Sequence, residues 1–402
     1  MHLKKTHVNN SLKKDIGIIT EFYNSMNYGA TLQAYALRKV ISGKGYSCEQ
    51  IRYNVDKRIR QPINRKLIQL IKKTIRNAKS LLNGQVFSDF KIRKSLRRRN
   101  KAFREFDLEK VPHSEKIYNA GNIAKATKYS KGFIAGSDQI WNPVVINYGY
   151  SLSFVHHPVL KASYAASLSV EALSSKNIKK YQQFLNDFSY ISVREKQAQK
   201  LFNSIGISST LVLDPTLLLT QSEWEQCISG VERFGIRKPF LFCYFIENGI
   251  DAREIACQYA KKHNLAIVTI PYMKSKYRKI DESFGDYQLY DVSPSEFLGL
   301  IKKADYIFTD SFHGSIFSWV FKKQFVTFQR GYDGGLGLMS SRIISLFEIL
   351  NCKERFLESK SECNIQQIEG ILGVEYKHDS ALFNELFRNS QVFLEKVLST
   401  IK

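Results

Sequence analysis

DYIFTDSFHGSIFSWVFKKQFVTF, residues 305–328, decides the fold, because its hydrophobic pattern changes from strand to helix and back. DYIFT and QFVTF are short apolar, β-rich runs, and HGSIFSWVF between them has helical periodicity. A strand, helix and strand in this order are typical of a parallel sheet. The polar residues TDSFHG then lie where the first strand ends and the helix begins, which is where open parallel sheets bind ligands.

The same alternation extends through most of the chain and predicts an α/β protein. One series of strands begins at DIGIIT (15–20) and ends with TLVLDP (210–215), and a second begins at FLFCYFI (240–246). A chain of 402 residues exceeds what one hydrophobic core usually organises. We therefore expect two domains and a final helix that packs back on the body. The predicted ranges are 1–225, 236–375 and 376–402.

A strongly basic segment interrupts the first domain. The chain has a net charge of +23, and the range 57–104 holds seventeen Lys and Arg residues against one acid, Asp89. Its apolar residues recur at helical spacing, which predicts a basic helical insertion. Such a charge attracts polyanions, but the stacking aromatics of single-strand binders are not interleaved with it. The sequence therefore does not favour a nucleic-acid partner as the reason for the charge.

Several classes of protein do not fit the sequence. The six cysteines are scattered singly, without metal-ligand spacing, and the N-terminus has no apolar signal region. The longest clean apolar run, FLFCYFI, is too short to cross a bilayer. Walker and G-x-G-x-x-G fingerprints are missing as well. These observations predict a cytoplasmic protein with metal-independent chemistry and no bound cofactor.

The TDSFHG segment supplies the first candidate site residues. Asp310 and Ser311 are suited to capping the following helix, and a functional role is an equal alternative. His313 could bind an anion or transfer a proton near neutral pH. Gly314 would let a ligand approach the backbone closely.

Two further groups of polar residues follow strands of the first and second domains. GSDQIWNP resembles a sugar-binding set, since sugar hydroxyls pair with carboxylates and amides and a pyranose face stacks on an indole. Its members are Ser137, Asp138, Gln139, Trp141 and Asn142. A turn capped by Asp138 is the simpler alternative. Arg194, Arg330 and Arg342 suit phosphate or carboxylate contacts, although Arg194 could instead pair with an acid at the sheet rim.

With these residues in view, the sequence resembles the polysaccharide pyruvyl transferase family. The matching pieces occur in the family's order over roughly residues 15–350: GIITEFYNSMNYGATLQAYAL, GSDQIWNP, SYAASLS, SVRE, LDPTLLL, DYIFTDSFHGSIFSWVFKKQFVTF and SSRI. The resemblance implies two Rossmann-like domains facing a cleft, a GT-B-like architecture. It also implies transfer of an enolpyruvyl-derived group from phosphoenolpyruvate to a sugar, which forms a pyruvate ketal.

The resemblance also implies roles for the candidate residues. His313 is the best candidate for phosphate contact or proton transfer, and Asp138 or Asp310 would orient or deprotonate an acceptor hydroxyl. The second domain would hold the donor and the first the acceptor. The donor-binding set is Arg194, Ser311, Gly314, Arg330 and Arg342. The acceptor-binding set is Tyr28, Gly29, Ser137, Gln139, Trp141 and Asn142.

Other interpretations remain open at this stage. Acceptors of the family are commonly lipid-linked saccharides, so the basic insertion would hold the enzyme on an anionic membrane, and a solvated helical face is an equal alternative. Because fold does not fix function, a GT-B glycosyltransferase using a nucleotide sugar is the main rival. A nucleic-acid-binding protein and an inactive scaffold are weaker rivals.

Overall fold

The computed structural model describes residues 13–55, 86–247, 249, 251–272, 279–330, 340–358, 364–376 and 378–401. Eleven α-helices and thirteen strands lie in these ranges. The strands are β1 Lys14–Ile19, β2 Cys48–Tyr53, β3 His113–Tyr118, β4 Ser130–Ala135, β5 Leu160–Ser163, β6 Ser192–Val193, β7 Thr210–Leu211, β8 Phe240–Tyr244, β9 Ala266–Thr269, β10 Tyr287–Gln288, β11 Tyr306–Thr309, β12 Gln324–Phe328 and β13 Phe356–Leu357. The helices are α1 Tyr28–Gly43, α2 Val86–Lys110, α3 Ser175–Leu185, α4 Lys196–Ser204, α5 Gln221–Glu225, α6 Asp251–Lys262, α7 Pro294–Lys303, α8 Phe312–Val320, α9 Ser340–Ile349, α10 Ile365–Leu372 and α11 Ala381–Ser399.

The strands form two separate parallel sheets. The first has the order β3-β2-β1-β4-β5, and the short pair β6-β7 continues beside β5 through a bridge between Ala162 and Tyr190. The second has the order β10-β9-β8-β11-β12-β13. In both sheets the strand order reverses beside the first strand, which is the Rossmann arrangement. The carboxyl ends next to these reversals are those of β1, β4, β8 and β11.

Side chains at the helix starts explain where the central helices begin. The Asn27 side chain accepts a hydrogen bond from the backbone N–H of Gly29 at the start of α1. Ser293 and Glu296 form a capping box at the start of α7, and Ser311 accepts from Gly314 N–H at the start of α8. The first backbone N–H groups of a helix have no partner within the helix. Each capping side chain accepts a hydrogen bond from one of them and so fixes the first turn.

The two domains are packed together through aromatic side chains. Tyr28, at the start of α1, stacks on Phe297 of α7 with ring centroids 4.4 Å apart, and its hydroxyl donates to the Val292 carbonyl. The C-terminal helix α11 contacts both domains, since Ser390 accepts from the backbone of Leu213 and Phe383 packs on Trp319. A single hydrophobic cluster therefore runs from the first domain into the second.

The structure modifies the interpretation of the basic insertion. Residues 56–85 lie outside the described part of the chain, and the remainder of the segment belongs to α2. Arg99 does not face solvent, because its guanidinium lies over the Tyr28 ring at 4.9 Å and donates to the Pro271 carbonyl. Arg98 lies 3.7 Å from Asp291 of the second domain. This helix thus connects the two domains. None of the described helices is both long and apolar enough to span a bilayer.

Candidate active site

A buried ion network occupies the carboxyl ends of β4, β6 and β7. Arg194 donates to Asp214 at 2.7 Å and to Asp138 at 3.2 Å, using both terminal nitrogens of its guanidinium. Burial alone would raise the pKa of Asp138, but the charges of Arg194, His313 and Arg342 lower it. Burial alone would likewise raise the pKa of Asp214, but the nearby His313 and Arg194 side chains hold it well below its usual range. Both carboxyls are therefore ionised at neutral pH.

The loop between β1 and α1 is joined to this network by buried hydrogen bonds. Gln33 donates to Thr20 Oγ1 and accepts from Ser137 N–H at 3.0 Å. Thr20 in turn donates to the Ser137 carbonyl. The next residue, Asp138, has φ +69° and ψ −173°, a sparsely populated backbone conformation for a residue other than glycine. These contacts hold the Asp138 carboxylate against Arg194.

His313 approaches the network from the second domain. It lies in the first turn of α8, is 7% exposed, and places its Nε2 atom 3.8 Å from Asp214 Oδ2. The other side of the ring lies against Gly29 of α1, where a methyl group would overlap the imidazole. The glycine thus leaves the space that His313 occupies, and the histidine joins the two domains at the cleft.

Three other residues of the TDSFHG segment have mainly supporting contacts. Both carboxylate oxygens of Asp310 accept backbone N–H groups after β8, from Ile246 at 2.6 Å and Glu247 at 2.7 Å. Burial raises the pKa of Asp310, and the nearby Arg330 and these N–H donors oppose the rise. Ser311, not Asp310, caps the helix. Gly314 is packed against β11, because a methyl group there would lie 2.6 Å from Thr309 Oγ1.

Arg330 and Arg342 bring positive charge to the same region from the ends of the 331–339 stretch, which lies outside the described residues. Arg342 is buried, and its pKa is lowered to about 9 by burial and by the charges of Arg330 and Arg194. Its guanidinium lies 5.5 Å from the centre of the Phe312 ring, and the Arg194 guanidinium lies 4.5 Å from the centre of the same ring. Three arginines thus meet around the start of α8.

Unpaired polar atoms at the site are all nitrogens. Among the described residues, no hydrogen-bond partner is found for Nε and Nη2 of Arg330, Nε of Arg342, Nε of Arg194 or Nε2 of His313. The carboxylates are paired: Glu195, for example, accepts from the Ser167 hydroxyl and from the backbone N–H groups of Leu168 and Ser169. Among the fully buried side-chain atoms of the described site, the unpaired ones are thus nitrogens, as expected of a site that binds an anion.

The predicted acceptor residues do not form one surface. Trp141 is fully buried, its indole donates to the Tyr150 carbonyl, and phenylalanine rings surround it. The indole is therefore part of the core and has no face open to a sugar. Asn142 is also buried and forms a turn with Val144 N–H, and Tyr28 is used in domain packing. Gln139 contacts Arg342 when its amide oxygen faces the guanidinium.

Two residues of the network were not among the sequence candidates. Asp214 is the acid of the LDP motif, and it also accepts from Thr216 N–H at 3.0 Å, as the cap of a short turn would. Gln33 lies in the middle of α1. The position of Asp214 directly after a strand was a usable signal, whereas nothing distinguishes Gln33 from an ordinary helical glutamine. Among the described residues no group of three His, Cys, Asp or Glu side chains could hold a metal ion.

The two Rossmann-like sheets and the polar cluster between their carboxyl ends define a GT-B protein. Solved structures with this fold include two UDP-GlcNAc 2-epimerases. The one from Methanocaldococcus jannaschii superposes with a TM-score of 0.54 at 11% identity and covers 96% of this chain and 100% of that chain. The one from Rickettsia bellii gives 0.53 at 11% identity, with 97% of each chain covered. At such identities the likeness shows the fold alone.

The sequence itself identifies the family. The family description "Polysaccharide pyruvyl transferase" matches residues 27–332, well over half of the chain. The chain therefore belongs to the polysaccharide pyruvyl transferase family, whose members are transferases. This confirms the resemblance seen in the motifs and the predicted GT-B-like fold. No curated protein sequence matches this chain significantly.

Proposed function

We propose that the protein transfers the enolpyruvyl-derived group of phosphoenolpyruvate to a sugar of a cell-surface polysaccharide or of its lipid-linked precursor. The product is a pyruvate ketal, and inorganic phosphate is released. The proposal includes no metal and no bound cofactor. Family membership supports the reaction class, and the site geometry supports the donor.

The surplus of donors at the site carries the proposal. Phosphoenolpyruvate has a carboxylate and a phosphate on three carbons, so it needs several positive donors held close together. Unpaired nitrogens on Arg330, Arg342 and His313 fit this demand. The lowered pKa of Arg342 points the same way, because an anion between the arginines would relieve their mutual repulsion.

The chemistry assigns a role to each group. A proton from His313 goes to the methylene carbon of the donor, and the oxocarbenium-like centre that results is attacked by one sugar hydroxyl. The first hydroxyl passes its proton back to the His313 ring. A second hydroxyl of the same sugar then displaces phosphate, which leaves with the electrons of its C–O bond and takes the proton of that hydroxyl, and the ketal closes. Arg330, Arg342 and the α8 N-terminus stabilise the leaving phosphate. Asp138, which is ionised, orients the attacking hydroxyl.

Arg194 and Asp310 act mainly on their neighbours in this scheme. Arg194 uses both terminal nitrogens on Asp214 and Asp138, so it positions these carboxylates and adds positive charge behind the donor. Asp310 fixes the chain after β8 through two backbone N–H groups. Ser311 and Gly314 serve the donor by setting the start of α8.

A transfer assay tests the proposal. The protein is incubated with phosphoenolpyruvate and either bacterial polysaccharide fragments or lipid-linked oligosaccharides, and phosphate release is followed together with the mass of the saccharide. We expect phosphate to appear with a mass gain of one pyruvate less one water, and both signals to vanish in His313→Ala. Phosphate release without any saccharide product would contradict a ketal-forming transferase.

A further inference from the structure

A pocket separate from the anion site lies between the β1–α1 loop, residues 20–27, and helix α2. Its volume is about 350 Å³, which is at the lower end of the range of small-molecule sites. Phe22 and Phe103 line it with buried rings, and Tyr23 adds a partly exposed one. Asn24, Ser25 and Asn100 supply polar groups. This mixture of ring faces with short polar side chains is suited to a neutral, hydroxyl-rich ligand.

Asp107 of α2 is the most unusual group in the pocket. It is only 9% exposed, and its Oδ1 atom has no hydrogen-bond partner in the part of the chain that the structure describes. Burial raises the pKa of this carboxyl to about 8. A neutral carboxyl both donates and accepts hydrogen bonds, as a sugar hydroxyl does. A buried polar group without a partner calls for an explanation, and a bound ligand hydroxyl supplies one.

The charged groups around Asp107 are engaged elsewhere or lie at the rim. Arg52 donates to the carbonyls of Ser114 and Glu115 on β3, and its guanidinium lies 6.0 Å from the Tyr23 ring. His113 contacts the Val111 carbonyl through Nδ1 at 2.6 Å. Arg104 lines the pocket from the exposed face of α2. None of these groups is hydrogen-bonded to Asp107 in the described residues, so the carboxyl is not held as half of an ion pair.

The pocket adjoins the anion site through the same loop. Thr20, at the start of the loop, hydrogen-bonds to Ser137, while Phe22, two residues later, lines the pocket. On the other side, the Phe103 ring lies 4.9 Å from the ring of Tyr28, which precedes the glycine that contacts His313. The β1–α1 loop and Tyr28 therefore contact both the pocket lining and the anion site.

We infer that this pocket binds a sugar unit of the saccharide acceptor beside the unit that reacts, with the sugar packing on the partly exposed Tyr23 ring and a sugar hydroxyl paired with Asp107. The inference rests on the proposed function, since it supplies the acceptor side of the same reaction. It adds the GIITEFYNS segment and α2 to the acceptor side, while Asp138 of the GSDQIWNP segment stays beside the reacting hydroxyl and the tryptophan of that segment is in the core. Asp107 is a binding residue in this account.

Saturation-transfer NMR with a panel of methyl glycosides tests the pocket without requiring turnover. The panel covers methyl glycosides of glucose, galactose, mannose and their N-acetylamino forms, at millimolar concentration. We expect at least one of them to receive saturation from the wild-type protein and to lose most of the signal with Asp107→Asn. Asn100→Ala, a second change in the pocket, should weaken the same signal. Glu109→Gln, an exposed change on the same helix, should leave it unchanged.

Phosphoenolpyruvate binding, measured by thermal shift on the same variants, separates failure of the pocket from failure of the donor assignment. A glycoside signal that Asp107→Asn removes, with the phosphoenolpyruvate shift intact, supports the pocket. Equal signals from the wild type, Asp107→Asn and Asn100→Ala would overturn it, as would no signal from any glycoside. A missing phosphoenolpyruvate shift in the wild type would overturn the proposed donor, and the glycoside results would still decide the pocket.

Discussion

Gly29 shows how a residue without a side chain can set the geometry of the site. Its Cα faces the His313 ring so closely that a methyl group would overlap the imidazole. The predicted role of Gly29 as a cleft residue remains a prediction about ligand contact. The requirement for glycine at this position comes from the His313 ring. No sequence pattern revealed it, because the two residues are almost three hundred positions apart.

Gly29→Ala is expected to abolish most of the activity while the fold is kept. Alanine favours an α-helix by about 1 kcal/mol over glycine, so α1 itself should not suffer. The methyl group would push His313 away from Asp214 and from the donor, and we expect the phosphoenolpyruvate thermal shift to fall or disappear. Gly43→Ala, at the exposed end of the same helix with no atom in the methyl's way, is the control and should behave like the wild type.

Asp214→Asn is expected to destabilise the protein by roughly 3–5 kcal/mol, because Arg194 would be left as a buried charge that has lost one partner. Glu395→Gln is the matched control, because Glu395 is likewise half of an ion pair, with Lys44 at 2.7 Å, but is 63% exposed. Loss of this exposed pair should cost no more than about 1 kcal/mol. Urea unfolding of both variants measures the difference. Equal losses would mean that Asp214 is not a buried partner of Arg194.

The protonation of Asp107 gives a prediction with a definite pH range. The unfolded chain loses this proton near the ordinary value of 3.8, whereas the folded protein keeps it to about pH 8. Between these values the folded state binds the extra proton, so its stability falls as pH rises. Asp107→Asn removes this pH-dependent loss of stability, because asparagine does not titrate. We expect the free energy of unfolding of the variant, relative to the wild type, to increase by up to about 1.4 kcal/mol per pH unit across this window and to level off above it.

Urea unfolding at several pH values checks this difference, with Glu109→Gln as the control. A difference between Asp107→Asn and the wild type that stays constant with pH would show that the carboxyl is already ionised in the folded protein.

Strand ends are the sequence signal that located several of the clustered residues, whose roles stay predictions. Arg194 follows β6 directly, and Asp138 and His313 lie within one short turn of the ends of β4 and β11, so the parallel sheets bring them together. The prediction that Trp141 contacts a sugar was wrong, because the turn after β4 directs the indole into the core. Asp107 lies inside a helix whose neighbours are basic, and only the folded structure shows that its carboxyl is enclosed.

At the scale of elements, α2 is the part of the molecule whose role changes most between sequence and structure. Charge alone predicts a basic insertion directed outward. Instead, the Arg99 guanidinium of this helix lies over the Tyr28 ring and donates a hydrogen bond to the Pro271 carbonyl in the second domain. The helical prediction is confirmed for residues 86–104, while the periodic stretch at 67–75 lies outside the described residues. Periodicity could not show which arginine lies against an aromatic ring.

Arg99→Ala should therefore loosen the contact between the domains. The loss of a buried cation–π contact and a hydrogen bond is expected to lower stability by about 1–3 kcal/mol. Lys101→Ala, two residues later and 76% exposed, should change stability by no more than about 0.5 kcal/mol. Thermal unfolding and limited proteolysis of the two variants measure this, and equal behaviour would show that α2 does not join the domains.

Membrane binding is a prediction for the exposed face of the same helix. Charge reversal at Lys94, Arg97 and Lys101 removes basic groups without touching Arg99. We expect pelleting with anionic vesicles to fall in this variant and to fall for the wild type as salt is raised, because exposed charges are screened. Vesicle binding that the triple variant retains in full would reject a membrane role for this face.

At the scale of the whole molecule, alternating strands and helices predicted the two-sheet architecture because each strand and helix is specified locally. The packing between domains is not specified in this way. Tyr28 meets Phe297 through contacts between residues far apart in sequence, and the same cleft brings His313 beside Asp214. The site belongs to neither domain alone, which is why separate motifs located its parts without giving their roles.

The central claim is that the cleft binds phosphoenolpyruvate. The most direct measurement is thermal unfolding of the wild type, His313→Ala and Arg342→Ala with phosphoenolpyruvate and, separately, with UDP-GlcNAc, since a ligand raises the melting temperature by mass action. The account predicts a shift with phosphoenolpyruvate in the wild type that both variants reduce or lose, and none with the nucleotide sugar. A shift with UDP-GlcNAc alone would contradict it and favour a nucleotide-sugar glycosyltransferase.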